Sequence, residues 1–159
     1  MNEKILVLNM GVKMKEKRNN IFIKKLANHL MRSGKKSFAT KLIYDNGFLL
    51  SKYFNKSLYT IYSDVFLTLR PFIEIRKVRV RRTTYMVPFP TNIQRQYYLV
   101  SQWILETLRN DKRKANFNKK FRDEIIKILL NKESITLDKK KDLYKKADKS
   151  RSFAHFRWY

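Results

Sequence analysis

The residues best suited to acid–base or metal chemistry are few and scattered in this sequence. Two histidines, His29 and His155, stand far apart, and there is no cysteine. Neither a metal site nor a nucleophile–base pair can be assembled from such a set. Asp138 and Asp142 are an i, i+4 carboxylate pair that could hold a metal. They sit among lysines, however, and i, i+4 ion pairing accounts for them better. With Gly11, Gly34 and Gly47 as the available glycines, there is no glycine-rich phosphate loop. The chemistry that does concentrate is cationic: Arg76, Lys77, Arg79, Arg81 and Arg82 crowd one short stretch. Guanidinium and ammonium groups at that density suit a polyanion, and a binding protein rather than an enzyme is expected.

Composition points the same way. The chain has 159 residues, with 37 Lys+Arg against 13 Asp+Glu, a net charge of +24. So much like charge opposes compaction unless a partner neutralises it. Nucleic acid is the leading candidate, and an anionic membrane surface is the competitor. The lack of cysteine excludes disulfides, zinc knuckles and thiol chemistry. No apolar run approaches the roughly 20 residues of a membrane span, and Ile5–Leu8 is too short for a signal-peptide core. Residues 1–20, with Lys13, Lys15, Lys17 and Arg18, read as a basic tail that orders only against a partner. Residues 21–159 read as one domain.

The cationic stretch belongs to Pro71–Pro90, PFIEIRKVRVRRTTYMVPFP, the segment that reads convincingly as β-structure. Ile73 and Ile75 alternate with Phe72 and Glu74, after which the apolar parity moves to Val78 and Val80. A period-2 strand swaps faces only at a twist or bulge, expected near Arg76-Lys77, so the base should pack on the body while the distal half turns away. The return strand is expected over Thr83–Val87, ended by Pro88 and Pro90.

Helices must carry this arm. Ile23, Leu26, Ala27, Leu30 and Met31 form an i, i+3, i+4 stripe over Ile21–Arg32, stopped by Ser33-Gly34. A second helix runs from Lys35-Lys36 to Phe54, with Ala39, Leu42, Ile43, Leu50, Tyr53 and Phe54 inward. It continues through Asn46-Gly47 although glycine costs about 1 kcal/mol there, because the stripe resumes in phase. Leu58, Ile61, Tyr62, Val65, Phe66 and Leu69 define a third helix, ended by Pro71. Thr91 to Gln94 matches a capping box, opening a fourth helix with Tyr97, Val100, Trp103, Ile104 and Leu108 inward. Phe117, Phe121, Ile125, Ile128 and Leu129 mark a fifth. A sixth, capped by Thr136 or Asp138, is nearly encircled by cations including Lys141, Lys145 and Arg151. A helix that polar is expected to lie against phosphates. The fold class is therefore mainly α: a single bundle of about six helices with a basic hairpin between the third and fourth.

Several motifs in register resemble one family. Phe153-Ala154-His155-Phe156-Arg157-Trp158 resembles the signature closing the conserved region of the small-subunit ribosomal protein seven family. Ile73-Glu74-Ile75, Val80, Thr84-Tyr85, Val87 and Pro88 fall at matching arm positions, as do Arg95, Trp103 and the Gly34-Lys35-Lys36-Ser37 turn. The resemblance runs collinearly from Ile21 to Trp158. It implies a helical bundle with a protruding hairpin, and a role in organising the small-subunit head by gripping the 3′ major domain of its rRNA. It also implies neighbouring small-subunit proteins as partners, and an arm and last helix bordering exit-site tRNA and mRNA. Carried over by position, Lys35, Lys36, Arg76 to Arg82, Arg95, Arg151, His155, Arg157 and Trp158 would face RNA. Where the family has a glycine pair at the hairpin tip, this chain has Arg81-Arg82, which suit a tight positive-φ turn poorly.

The function expected is a non-catalytic rRNA scaffold with no cofactor, no membrane and no small-molecule substrate. An architectural DNA-binding protein with a β-arm, or a membrane-surface basic protein, is the alternative. The end one residue after Trp158 resembles the family's mitochondrial branch. Five alanines against twelve asparagines look like translation of an AT-rich gene, as organellar genomes often are. A mitochondrial ribosome is the expected location.

Overall fold

The computed structural model describes residues 21–157. The basic lead at 1–20 and Trp158 lie outside the described residues. Within them, six α-helices and a terminal 3-10 helix carry one antiparallel hairpin.

Helix α1 covers 21–30, ending earlier than its apolar stripe suggested, where Ser33 and Gly34 take positive φ. Its Phe22, Ile23, Leu26 and Ala27 are buried while Lys24, Lys25 and Asn28 face out. Helix α2, Lys36–Phe54, is continuous through Asn46-Gly47. The structure gives the reason for that pair. A Cβ on Gly47 would lie 2.6 Å from Leu58 Cδ1, so any larger residue would push the Leu58 side chain aside where α2 meets α3 (Leu58–Leu69). Tyr62 of α3 donates to the Ile43 carbonyl across the same contact at 2.8 Å. Asn46 is buried too, donating to the Leu42 carbonyl and accepting from Arg122. Tyr53, expected to point inward, is 65% exposed at the last turn of α2.

Ser57 caps α3, its Oγ accepting from Thr60 N–H, and the helix stops at Arg70 before Pro71. Strands β1, Ile73–Val80, and β2, Thr83–Pro90, follow, then α4, Ile93–Asn110. The capping box does not form. Asn92 is the N-cap residue and makes no side-chain cap bond. The Thr91 hydroxyl instead donates to the Pro71 carbonyl at 2.6 Å, and Thr91 N–H donates to the Phe72 carbonyl. Those two bonds close the mouth of the hairpin. Helix α5 spans Phe117–Leu129 and α6 spans Ile135–Lys149, with the 3-10 helix at Arg151–Phe156. Ser134, rather than Thr136 or Asp138, caps α6.

The core is one cluster drawn from α1 to α5. Phe66 stacks on Tyr97 at 4.3 Å with Phe22 tilted against both, and Leu26, Ile43, Leu50, Ile61, Val65, Ile104, Phe121, Ile125 and Ile128 fill the remainder. Each such side chain contributes about 1.5–3 kcal/mol of burial, which secures a rigid platform for the arm. Trp103 is half-buried on α4.

Candidate nucleic-acid interface

The arm pairs without interruption, from Ile73 opposite Pro90 to Val80 opposite Thr83. No bulge lies at Arg76-Lys77, and β2 runs past Pro88 to Pro90. The parity switch needs no bulge, because the face carrying Val78 is covered from the base outward, with Val87 buried and the Glu74 side chain 12% exposed on it. Near the base, Ile73 and Ile75 are half-buried on one face. Further out, Val78 and its partner Tyr85 occupy the other face, where Tyr85 stacks on Phe156 at 4.9 Å and contacts Phe153 at 5.0 Å. The carboxy-terminal 3-10 helix thus supports the distal half, which does not turn away from the body.

The base is fixed by charge. Arg95 of α4 forks onto Glu74, with Nη2 to Oε1 at 2.6 Å and Nε to Oε2 at 3.1 Å, and lies over the Tyr98 ring. Arg76 approaches the same carboxylate at 3.5 Å and lies over Phe89. The Arg95 hydrogen bond, outweighing partial burial, holds the Glu74 carboxyl below its ordinary range. Phe72 N–H donates to Tyr144 Oη of α6 at 3.0 Å, a further tie between arm and body.

Beyond this base, Lys77, Arg79, Arg81 and Arg82 are exposed, and among the described residues none has an acid within ion-pair distance. The tip is a two-residue turn in which Arg81 adopts φ 55°. That left-handed value costs a non-glycine residue roughly 1–2 kcal/mol. The arginine pair does make the tight turn, with the strain confined to Arg81.

Helix α6, though nearly encircled by cations, is also held by polar anchors within the chain. The buried Glu124 carboxylate accepts from Ser134 Oγ and Thr136 Oγ1, both at 2.6 Å. Lys139 pairs with Glu106 at 2.9 Å, and Lys140 donates to the Thr68 carbonyl at the end of α3. Burial, reinforced by the nearby Arg70 charge, pushes the Lys140 amine down. Lys141 and Lys145 are exposed, facing Asp138 at 3.2 Å and Asp142 at 3.9 Å, one turn back in each case. Those are i, i+3 pairs, and no group among the described residues gathers ligands for a metal.

The other expected contacts are spread around the body. Lys35 and Lys36 are exposed where α2 begins, and Arg151 and His155 are exposed on the 3-10 helix. The His155 ring rests on Phe156 at 4.0 Å. Arg157 is half-buried, donating to the Ala154 carbonyl. Arg95 is the expected contact most engaged within the chain. Sequence reasoning missed Glu124 and the supporting roles of Glu74, Tyr85 and Tyr144. A lone acid in the basic segment 71–90 was the available signal for Glu74.

A helical platform, a stiffened two-stranded arm and, along its outer half, cations with no acid partner among the described residues define a polyanion-binding scaffold. Residues 3–151 match the family model described as ribosomal protein S7p/S5e, and the chain belongs to that family. It is similar to the small ribosomal subunit protein uS7 of Thermosipho africanus (strain TCF52B), 33% identical over 140 residues, covering 88% of this chain and 89% of that protein. Against the uS7 of Wigglesworthia glossinidia brevipalpis, identity is 34% with 88% of each chain covered. The uS7 of Rickettsia bellii (strain RML369-C) is 29% identical over 88% of this chain and 85% of its own. The family is structural and non-enzymatic.

Proposed function

We propose that the chain is a structural constituent of the small ribosomal subunit, bound to its rRNA in the 3′ major domain that forms the head. The observation carrying this is the outer arm, where Lys77, Arg79, Arg81 and Arg82 are exposed and, among the described residues, have no acid within ion-pair distance, on a hairpin anchored at both base and side. Cations held this way can neutralise phosphates, and guanidinium planes can stack on or fork to RNA. Arg76, Arg95, Lys35, Lys36, Arg151, His155, Arg157 and Trp158 are the further rRNA contacts in this reading, and Lys141 and Lys145 contribute once released from their aspartates. Neighbouring small-subunit proteins complete the assembly, and the arm and the carboxy-terminal segment border exit-site tRNA and the mRNA path. Membership of a ribosomal family supports this reading. An organellar, mitochondrial ribosome is its finer form, supported by the asparagine-rich, alanine-poor composition.

The test is competition between folded head-domain rRNA and duplex DNA for the purified chain. Preference for the rRNA is expected, and preference for the duplex would favour an architectural DNA-binding role. If about 6–10 phosphates are engaged, affinity for rRNA falls roughly 10³–10⁵-fold between 50 and 200 mM salt. Imaging a tagged chain against mitochondrial and cytosolic markers decides the compartment.

A further inference from the structure

The root of the arm holds an aromatic ring and two cations that the fold leaves incompletely used. Phe72 precedes β1 and is 55% exposed, yet its backbone is fixed on both sides. Its N–H donates to Tyr144 Oη at 3.0 Å, and its carbonyl accepts from Thr91 N–H at 3.0 Å. The Arg70 guanidinium lies over the ring, 4.9 Å from its centre. Arg70 ends α3 and is half-buried. Among the described residues its guanidinium meets neither a carboxylate nor another hydrogen-bond acceptor, so its five N–H donors remain for a ligand. Lys140 of α6 enters the same nook, donating to the Thr68 carbonyl. Burial, and after it the Arg70 charge, pushes that amine down, and an anion beside the two cations would relieve the repulsion.

We propose that Arg70 and Phe72 form a nucleotide clamp at the root of the arm: the guanidinium forks to a phosphate of the rRNA, and an unpaired base stacks on the exposed part of the Phe72 ring. Bases splayed from single-stranded RNA are read by stacking on aromatic side chains and arginine planes. A guanidinium lying over a ring keeps the N–H groups of its edge free for a phosphate. A ring whose backbone is already tied loses little freedom on contact. The occupant is therefore a loop, bulge or other unpaired segment of RNA, whereas the outer arm asks only for phosphates. The inference rests on the rRNA reading and adds to it a contact with a base.

The test is binding of the full chain to folded head-domain rRNA, with thermal unfolding of every variant measured alongside. Phe72→Ala and Phe72→Leu should each weaken binding roughly tenfold, while Phe72→Trp, which keeps a stacking face, should stay within about twofold of the parent. None of these changes alters charge, so the slope of log K against log salt should not move. Arg70→Gln should lower that slope by about one. Unfolding temperatures of the Phe72 variants should match the parent, because the ring is exposed. Binding indifferent to Phe72→Ala, as a protein-docking role for the ring requires, would overturn the clamp while leaving the ribosomal reading intact. Leucine serving as well as tryptophan, or a loss that only tracks lowered thermal stability, would overturn it too. Failure of the parent chain to bind the rRNA would instead remove the ribosomal reading, and the clamp with it.

Discussion

The outer arm and helix α6 are both crowded with cations, yet the structure treats them in opposite ways. In α6, Lys139 and Lys140 are tied to Glu106 and the Thr68 carbonyl, and the helix start is bolted to buried Glu124. In the arm, Lys77, Arg79, Arg81 and Arg82 find no acid among the described residues. Charge density alone therefore does not identify a binding surface. What identifies it is charge left over after the fold has used what it needs.

Reversing charge at Arg79, Arg81 and Arg82 together should produce the largest effect, weakening rRNA binding by roughly 10²-fold or more at moderate salt. Thermal unfolding should stay essentially unchanged, because none of the three side chains is buried. A parallel loss of stability would mean that the arm is part of the core. Glu124→Ala should show the reverse, costing about 2–4 kcal/mol in urea unfolding, because it strands two buried hydroxyls and releases the start of α6. If stability stayed within 0.5 kcal/mol (roughly the scatter of neutral surface changes), α6 would not be internally anchored.

Tyr85→Ala removes the stack that seats the arm on the 3-10 helix, an expected loss of about 1–2 kcal/mol. Its informative readout is faster hydrogen exchange confined to β1 and β2. A smaller effect belongs to the base. Because the folded Glu74 carboxyl is depressed by Arg95, the pair's contribution is present above the ordinary glutamate range and is lost as pH falls through the lower folded value. Glu74→Gln should thus cost roughly 1 kcal/mol or less near neutrality, with the difference from the parent vanishing in acid. A difference that persisted there would point to packing instead. Smallest of all, Arg81→Gly should relieve the positive φ and leave hairpin stability within about 1 kcal/mol, since glycine's extra freedom offsets the gain.

Much of this architecture could be read from periodicity. The stripe in α3 and the alternation of Ile73, Ile75, Val78 and Val80 placed helix and arm directly. The sequence was less informative wherever a contact joined distant segments. Nothing local shows that Gly47 exists for Leu58, that Thr91 would turn from capping α4 to closing the hairpin, or that Tyr85 waits for Phe153 and Phe156. The apparent need for a bulge was of this kind, since strand parity records which face is covered but not by what. How α6 is held was hidden for a related reason, because its burial is polar and its anchors sit on α3, α4 and α5.

The comparison of arm and α6 is tested most directly by the salt dependence of rRNA binding in two neutralised variants. One carries Arg79→Gln, Arg81→Gln and Arg82→Gln, the other Lys141→Gln and Lys145→Gln. The slope of log K against log salt should shrink by about three for the arm variant and by clearly less than two for the α6 variant. A slope unmoved by the arm substitutions, or moved more by those in α6, would contradict the assignment of the arm as the gripping element.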